Sequence, residues 1–292
     1  MNPIDTWHAI DAAQVRQVPR VRFSVLDQGQ ALEAGSVATA HLEALARWPE
    51  ALRIDDTGVT LTVPAAEREA FFAQANAALH AQGLIVAWRH ETYPVLALAT
   101  RQLLATFERA ASRFWGTTTF GAHCNGYIAG ADGRPEAMWI ARRTYSKATD
   151  PGLLDNLVGG GVPHGQTPAE TVLREGWEEA GLTVEQMRGM TPGRLVRLAR
   201  DIPEGFQLEW ISVYDLALPP TVTPCNQDGE VAEVMCLPVA EALEQAATPG
   251  MMVDAALVTL DFALRHRLLA PARHAALQAR SDGLWIGQAE MA

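Results

Sequence analysis

The stretch NLVGGGVPHGQTPAETVLREGWEEAGLTV, residues 156–184, carries the clearest structural signals in the chain. Thr167 and Glu170 have the spacing of a capping box, and Pro168 between them suits the first turn of a helix. Gly181 is placed to end that helix, since glycine readily adopts the left-handed conformation found after a last helical turn. The stretch therefore predicts a helix that starts at the proline and is entered from a run of three glycines.

Two faces of this predicted helix differ in chemistry. Apolar or small residues recur at helical spacing and predict a buried stripe, namely Ala169, Val172, Leu173, Gly176 and Ala180. Glu175, Glu178 and Glu179 gather on another face, where like charges one turn apart destabilise an isolated helix by roughly 0.2–0.5 kcal/mol per pair. A glycine inside a helix costs about 1 kcal/mol more than alanine. A helix selected for stability alone would avoid both features.

The clustered carboxylates allow two interpretations. One is an acidic surface in water, which is the commoner explanation for three glutamates on their own. The other is a site for Mg²⁺ or Mn²⁺, since hard divalent cations prefer carboxylate oxygens and turn the repulsion into attraction. The glycine run favours the second interpretation, because glycine lets the backbone approach a ligand closely.

The spacing within this stretch is more specific than its composition. Gly160, position 166 and the run REGWEEAGL at 174–182 fit the Nudix box, GX5EX7REUXEEXGU, in which U is apolar. The chain thus resembles Nudix hydrolases. The resemblance implies Mg²⁺ or Mn²⁺ held by the three glutamates and the Gly160 carbonyl, with Arg174 and Gly181 in structural roles.

Two positions depart from the box. Gln166 stands where the family has a glutamate that mainly supports the box arginine, and a glutamine can still hydrogen-bond Arg174. Gly176 stands where the family has an apolar residue, which indicates close packing of the helix on its neighbour. Neither departure removes a metal ligand.

A broader resemblance extends over most of residues 10 to 270. The runs HCNGY, WIARR, PGLLDN, the Nudix box and QDGEV occur in one order. This order resembles the Nudix branch that carries its own N-terminal domain and is fused, in some fungi, to thiamine pyrophosphokinase. The resemblance implies removal of phosphate from a small diphosphate, such as thiamine diphosphate or an oxidised analogue. Hydrolysis of a nucleoside diphosphate of the oxidised dGDP or ADP-ribose type is the alternative, because the box does not encode the substrate.

A water must be positioned or deprotonated for such a hydrolysis. By the resemblance this role falls to a box glutamate or to a glutamate on a distant loop. The catalytic candidates are Glu175, Glu179 and Glu230. The last lies in NQDGEV, a polar loop that opens onto a predicted strand, where an ordinary loop carboxylate is an equal alternative.

The substrate has a phosphate end and a head group that need contacts of different kinds. The candidates are Arg142, Arg143 and Lys147 for the terminal phosphate and His123 and Asn125 for the head group. Adjacent strand residues point to opposite faces, so at most one of the two arginines faces the site, and we favour Arg143. Surface charges and a structural histidine are the alternatives.

Composition limits the partners. A net charge of −11 argues against a nucleic-acid polymer and against anionic membrane surfaces. Three cysteines without a CxxC pair indicate a reducing compartment, and no basic segment followed by an apolar run marks a secretion signal. We therefore expect a cytoplasmic protein that binds a small-molecule diphosphate, with a homodimer left open.

A chain of 292 residues is long for one compact core, and the resemblance to Nudix hydrolases with an N-terminal domain implies two folded parts. We expect an α/β protein, with a Nudix α/β/α sandwich around a mixed sheet preceded by a small α+β domain. The expected division is an N-terminal domain over 1–112, a Nudix domain over 113–270 and a tail over 271–292. Further predictions are strands at 20–26, 58–64 and 84–88, helices at 64–83 and 100–116, and a hairpin over 117–143 turning at Asp132-Gly133.

Two rival functions use the same fold. An isopentenyl-diphosphate isomerase relies on a cysteine and a glutamate, and Cys124 is the candidate cysteine, although HCNGY does not resemble the isomerase motif. A sensor that binds a nucleotide-like ligand without cleaving it is the other rival, and the intact glutamate trio argues against it.

Overall fold

The structure is a computed structural model that describes residues 6–147 and 149–286. The first five residues of the predicted N-terminal domain, Ala148 and the last six residues of the predicted tail lie outside the described residues. None of the helices in the described ranges is long and apolar enough to cross a membrane.

The strands vary in length. They are β1 Arg20–Asp27, β2 Gln30–Ala38, β3 Leu52–Asp55, β4 Gly58–Leu61, β5 Thr92–Leu96, β6 Leu103–Glu108, β7 Thr118–Ala129, β8 Pro135–Arg143, β9 Leu154–Asp155, β10 Val158–Gly161, β11 Thr191–Ile202, β12 Gly205–Ala217, β13 Val231–Pro238 and β14 Trp285–Ile286.

The helices are mostly short. They are α1 His8–Ala12, α2 Leu42–Leu45, α3 Arg68–Ala81, α4 Ala111–Trp115, α5 Pro168–Ala180, α6 Val184–Met187, α7 Val239–Ala246, α8 Val253–Arg265 and α9 Pro271–Ser281.

The N-terminal part is an α+β domain with its own core. Its sheet has the order β2-β1-β4-β3, and β5 and β6 form a separate antiparallel pair. Helix α3 presents Phe72 to this core, where the ring packs against Phe23 and Trp115. All three side chains are fully buried, so α4, which carries Trp115, contributes to the N-terminal core.

The larger part is a mixed sheet between helices. Its strand order is β13-β8-β7-β12-β11-β14, with β10 beside β7 and β9 beside β8. Strands β7 and β12 run parallel and the other pairs are antiparallel. Helix α5 packs on β10 and β7, whereas α8 packs on β7, β11 and β12. The predicted α/β/α sandwich after a small α+β domain is confirmed.

Two element predictions are wrong. The apolar run at 84–88 is irregular chain, because Leu84 and Ile85 donate their amides back to Leu79 at the end of α3 and Ala87 adopts a φ of 58°. The helix over 100–116 is instead β6 followed by the single turn of α4. Pairing with β5 supplies the backbone hydrogen bonds of β6, and such non-local partners override local helix preference.

Both ends of the described chain pack on the large sheet or its helices. Trp7 is buried, and its Nε1 donates to the Ala256 carbonyl at 3.0 Å, which holds α1 against α8. Near the other end, Trp285 and Ile286 pair with β11. The boundaries at 112 and 270 stay predictions.

Candidate active site

Helix α5 forms as its sequence predicts. The Thr167 hydroxyl accepts from the Glu170 amide at 3.2 Å, and the Thr167 amide donates to the Glu170 carboxylate at 2.8 Å. Pro168 starts the helix, and Gly181 follows it with a left-handed φ of 63°. Local side-chain chemistry therefore fixes both ends of the helix that carries the glutamates.

The apolar face of α5 rests on the sheet and on α6. Val172 and Ala180 are fully buried. A Cβ on Gly176 would lie 2.4 Å from the Met187 sulfur, so no larger residue fits there without a shift. The expected close packing at Gly176 is confirmed, and this contact explains the departure from the box.

The acidic face of α5 meets the glycine strand β10. Glu179 is only 6% exposed, and its Oε2 accepts a hydrogen bond from the Gly159 amide at 2.8 Å. A Cβ on Gly160 would lie 2.2 Å from Glu175 Oε1. The absence of a side chain at position 160 thus makes room for a carboxylate beside the strand.

Arg174 holds the other two glutamates of the trio. Its guanidinium pairs with Glu175 at 2.7 Å and with Glu178 at 2.8 Å. Gln166 has another partner, since its Oε1 accepts from the Thr171 hydroxyl at 3.3 Å. Of the two structural partners expected for Arg174, Gln166 and Glu178, the described chain shows Glu178 and no hydrogen bond to Gln166.

The acidic face borders a cavity of about 820 Å³ between the two parts of the protein. The predicted site residues among its walls are Gly160, Arg174, Glu175, Glu178, Glu179, Glu230, His123, Arg143 and Lys147. The structure therefore brings together the box glutamates, the loop glutamate and two of the three predicted phosphate ligands.

The cationic side of this cavity is tied to carboxylates. Arg143 pairs with Asp155 at 3.2 Å and donates to the Thr149 carbonyl at 3.0 Å. Lys147 forms an ion pair with Glu230. Burial lowers the pKa of Lys147, and the charge of Arg143 lowers it further.

Four predicted residues, Arg142, Asn125, Gln166 and Gly181, lie outside the cavity walls within the described chain. Arg142 donates to the Gly152 carbonyl at 3.1 Å and pairs with Glu233 on its own face of the strand. Asn125 is 1% exposed and donates to Asp215 at 3.1 Å. With Gln166, these side chains belong to the scaffold around the cavity, and Arg142 and Asn125 have no direct access to a ligand in it.

His123 lines the cavity and is held in place by its neighbours. It is 7% exposed, and its Nδ1 lies 2.9 Å from the Asn156 side-chain oxygen. Asn156 in turn donates to Thr259 of α8 at 3.1 Å. The histidine is therefore fixed by a buried network and presents one edge to the cavity.

Burial and like charges act on Glu179. Burial raises its pKa well above the usual value, and the carboxylates of Asp155 and Glu175 raise it further. A divalent cation would relieve this repulsion, and carboxylate and carbonyl oxygens are the donors that Mg²⁺ and Mn²⁺ prefer. The chemical type of these donors therefore fits such an ion.

The grouping of these donor side chains differs from that of a metal site. Among the described residues, no three Asp, Glu, His or Cys side chains are grouped closely enough to hold one ion. Arg174 accounts for this, because it takes up one oxygen each of Glu175 and Glu178.

Sequence reasoning missed the cavity walls contributed by the N-terminal domain. These walls include Arg89, Glu91 and Arg109. Arg109 pairs with Glu91 at 3.0 Å and lies over the ring of Tyr93. Nothing in the local sequence marked these residues, because non-local packing brings them to the cavity.

This fold, with an acidic helix facing a glycine strand, defines a Nudix-type sandwich. Residues 124–255 match the model of the NUDIX domain. Residues 5–119 match the model described as Domain of unknown function (DUF4743). The matches therefore place a NUDIX-like region after a DUF4743-like region in the chain.

Named relatives agree with this assignment. Nudix hydrolase 20, chloroplastic, of Arabidopsis thaliana is 36% identical over 193 residues, covering 65% of this chain and 50% of that protein. Nudix hydrolase 24, chloroplastic, of the same plant is 36% identical over 192 residues, covering 65% and 52%. The chain thus spans about half the length of the curated relatives it matches.

A solved structure is similar over part of the chain. The crystal structure of DR0079 from Deinococcus radiodurans is 20% identical, has a TM-score of 0.44, and covers 59% of this chain and 99% of its own. A likeness at this level carries no information on the substrate.

Proposed function

We propose that this protein is a Mg²⁺- or Mn²⁺-dependent hydrolase that cleaves the diphosphate of a small organic molecule. The observation that carries the proposal is the meeting of Glu175, Glu178 and Glu179 with Arg143 and Lys147 around one cavity. A diphosphate needs both halves of this arrangement, since its charge must be neutralised and its phosphates held in place.

The acidic half would hold the metal. Its ligands would be Glu175, Glu178, Glu179 and the Gly160 carbonyl, and the ion would supply a Lewis acid and a more acidic water. Arg174 would act as a structural partner that keeps the glutamates on one side of the cavity. The Gly159 amide would hold Glu179 in place through its hydrogen bond.

We propose Glu230 as the residue that positions or deprotonates the attacking water. Glu175 and Glu179 are the other candidates, but a carboxylate that binds a cation is a weaker base. Glu230 has a side chain 44% exposed beside the cavity, and its ion pair with Lys147 orients it there. Its loop is held by Asp228, which accepts from the Glu230 amide at 2.8 Å.

The cationic half would bind the phosphate that leaves. Arg143 offers a planar guanidinium and Lys147 an ammonium, and both groups commonly bind phosphate in proteins. His123, fixed through Asn156, would contact the rest of the substrate from the wall of the cavity.

For the substrate we propose thiamine diphosphate or an oxidised analogue, cleaved to the monophosphate and phosphate. The support is the order of sequence runs that resembles the Nudix part of fungal thiamine pyrophosphokinase fusions. The cavity, at about 820 Å³, has the volume of sites for small organic ligands. A nucleoside diphosphate such as oxidised dGDP, or a diphosphate of the ADP-ribose type, is the alternative.

The decisive experiment measures phosphate release from a substrate panel. Thiamine diphosphate, its oxidised analogues, ADP-ribose and oxidised nucleotides should each be incubated with Mg²⁺, with Mn²⁺ and with EDTA. We expect turnover of at least one diphosphate that stops in EDTA and returns with the cation. No release from any of them in either metal would overturn the proposal.

The rival isomerase function needs a reactive cysteine. Cys124 is fully buried, is not among the cavity walls in the described chain, and has its pKa raised by burial. These features oppose a catalytic thiol. Unchanged phosphate release in Cys124→Ala, with no isomerisation of isopentenyl diphosphate by the wild type, would dismiss this rival.

The setting of the protein is part of the proposal. A cytoplasmic location stays a prediction, and both plant relatives are named chloroplastic. The partner we propose is a small-molecule diphosphate, with no nucleic-acid polymer and no membrane. The homodimer stays a prediction that light scattering after size-exclusion chromatography tests.

A further inference from the structure

Three cations that line the cavity come from both domains. Arg89 lies in the irregular segment between α3 and β5, whereas Arg143 and Lys147 belong to the NUDIX domain. Burial lowers the pKa of Arg89, and the charges of Arg109 and Arg143 lower it further, whereas the charge of Glu91 raises it. Like charges held this close to one another are unfavourable unless an anion lies between them.

Although Arg200 in the cavity wall also forms no ion pair, it donates to the Gln207 side chain at 2.7 Å, so among the wall cations of the described chain Arg89 alone lacks a side-chain partner. Across residues 6–147 and 149–286, its side chain forms no ion pair and no side-chain hydrogen bond. Its neighbours are all paired, Arg109 with Glu91, Arg113 with Glu209, Arg143 with Asp155 and Lys147 with Glu230. A half-buried guanidinium without a partner is a costly feature for stability alone.

Arg143 provides a second and independent observation. The residue is 9% exposed, yet its Nε has no hydrogen-bond partner in the described residues although the other two guanidinium nitrogens are bonded. Buried donors of this kind are rare in native structures and call for an explanation. A ligand with several acceptor oxygens in the cavity would supply one.

We propose that Arg89 binds a phosphate group of the substrate together with Arg143 and Lys147, so that the N-terminal domain completes the active site. This inference rests on the proposed function, from which it takes the diphosphate. The planar fork of an arginine matches two phosphate oxygens at once. The DUF4743 domain would then be a substrate-binding part of the enzyme.

The test compares Arg89→Ala and Arg89→Lys with the wild type in the full chain. Two quantities are measured, the KM and kcat for a diphosphate that the wild type cleaves, and the Kd for inorganic pyrophosphate by isothermal titration calorimetry. Losing one charged hydrogen bond should raise KM and Kd about 10- to 100-fold. Arg89 would contact the phosphate in the bound substrate as well as in the transition state, so kcat should change far less than KM. Arg89→Lys should fall between, since lysine keeps the charge and loses the fork.

Two controls separate binding from folding. Arg53→Ala removes an exposed arginine of the same domain that pairs with Asp55 at 3.0 Å, and it should leave KM and Kd unchanged. The melting temperature of Arg89→Ala should equal that of the wild type, because the guanidinium has no internal partner to lose.

The outcomes distinguish this inference from the proposed function. Turnover by the wild type with an unchanged KM and Kd in Arg89→Ala would overturn the role of Arg89 and leave the hydrolase intact. Tighter pyrophosphate binding by the wild type than by Arg89→Ala, without turnover of any diphosphate, would support the anion site and overturn the hydrolase. Equal binding without turnover would overturn both.

Discussion

Gly160 and Glu175 are in direct contact, so close that a Cβ on the glycine would lie 2.2 Å from the carboxylate oxygen. Gly160→Ala must therefore push Glu175 out of its place in the cavity. We expect hydrolysis to fall about 100-fold, since misplacing one group by about 1 Å costs this much. The free energy of unfolding should fall by about 1–3 kcal/mol, as for other overpacked sites. Phosphate release and urea unfolding measure the two effects.

Gly189→Ala is the matched control for this substitution. Gly189 has an ordinary negative φ and open space where its Cβ would lie. It should leave both activity and stability near the wild-type values. An active Gly160→Ala enzyme would show that Glu175 can move without loss, which would remove this residue from the site.

Glu179→Gln tests the metal role directly. The glutamine can still accept the Gly159 hydrogen bond, so the strand contact survives while the charge is lost. Loss of a cation ligand should reduce turnover about 100-fold or more, because a bound ion supplies several kcal/mol in the transition state. Stability should not fall, since the change removes a buried like charge beside Glu175.

An exposed glutamate provides the comparison. Glu185 pairs with Arg188 on the surface at 2.9 Å, and Glu185→Gln should keep full activity. Wild-type turnover in Glu179→Gln would contradict the metal assignment. Chelation with EDTA should mimic this variant in the wild type and be reversed by Mg²⁺ or Mn²⁺.

The site helix was predictable because its signals are local. Thr167, Pro168, Glu170 and Gly181 act within one turn of the helix ends, so their pattern in the sequence fixes the bounds of α5. The place of the glutamates on one face follows from helix geometry alone. The sandwich was expected from the resemblance to Nudix hydrolases, and the hairpin of β7 and β8 from the turn that the sequence marks with Asp132 and Gly133.

Features set by distant partners could not be predicted in this way. Strand β6 has helix-like composition, and only its pairing with β5 makes it extended. Arg89 and Arg109 reach the cavity because two domains pack together, which no spacing in the chain reveals. Arg174 hydrogen-bonds Glu175 and Glu178 and does not hydrogen-bond Gln166. Which of several nearby side chains it pairs with likewise depends on their positions in the folded structure.

Asp215 is the centre of a buried ion network on the other side of the sheet. It is 2% exposed and accepts from Arg265 at 2.6 Å, from His266 at 3.0 Å and from Asn125 at 3.1 Å. Asp215→Asn leaves Arg265 with one charged partner fewer. We expect the free energy of unfolding at pH 7 to fall by about 3 kcal/mol, as for other broken buried pairs. Asp56→Asn, an exposed turn residue, should change it by less than about 0.5 kcal/mol.

The same network predicts how stability depends on pH. Burial opposes ionisation of Asp215, but hydrogen bonds from His266 and Arg265 outweigh it and hold its pKa below the usual value. A lowered folded-state pKa gives stability that is present above the unfolded value of about 3.9 and is lost as the pH falls through the folded value. Urea unfolding between pH 7 and pH 3 should therefore show the advantage of the wild type over Asp215→Asn shrinking below about pH 4. A constant difference would contradict the ionised state of Asp215.

Glu230→Gln tests the proposed base. The side chain borders the cavity and is paired with Lys147, so a neutral amide removes both the base and the charge that orients the lysine. General-base catalysis is worth about 10²–10⁴-fold, and we expect kcat to fall within that range. Glu233→Gln is the control, because Glu233 pairs with Arg142 on the opposite face of the strand pair, outside the cavity walls in the described chain. If kcat survives in Glu230→Gln but collapses in Glu175→Gln, the base belongs to the helix and Glu230 serves only to hold Lys147.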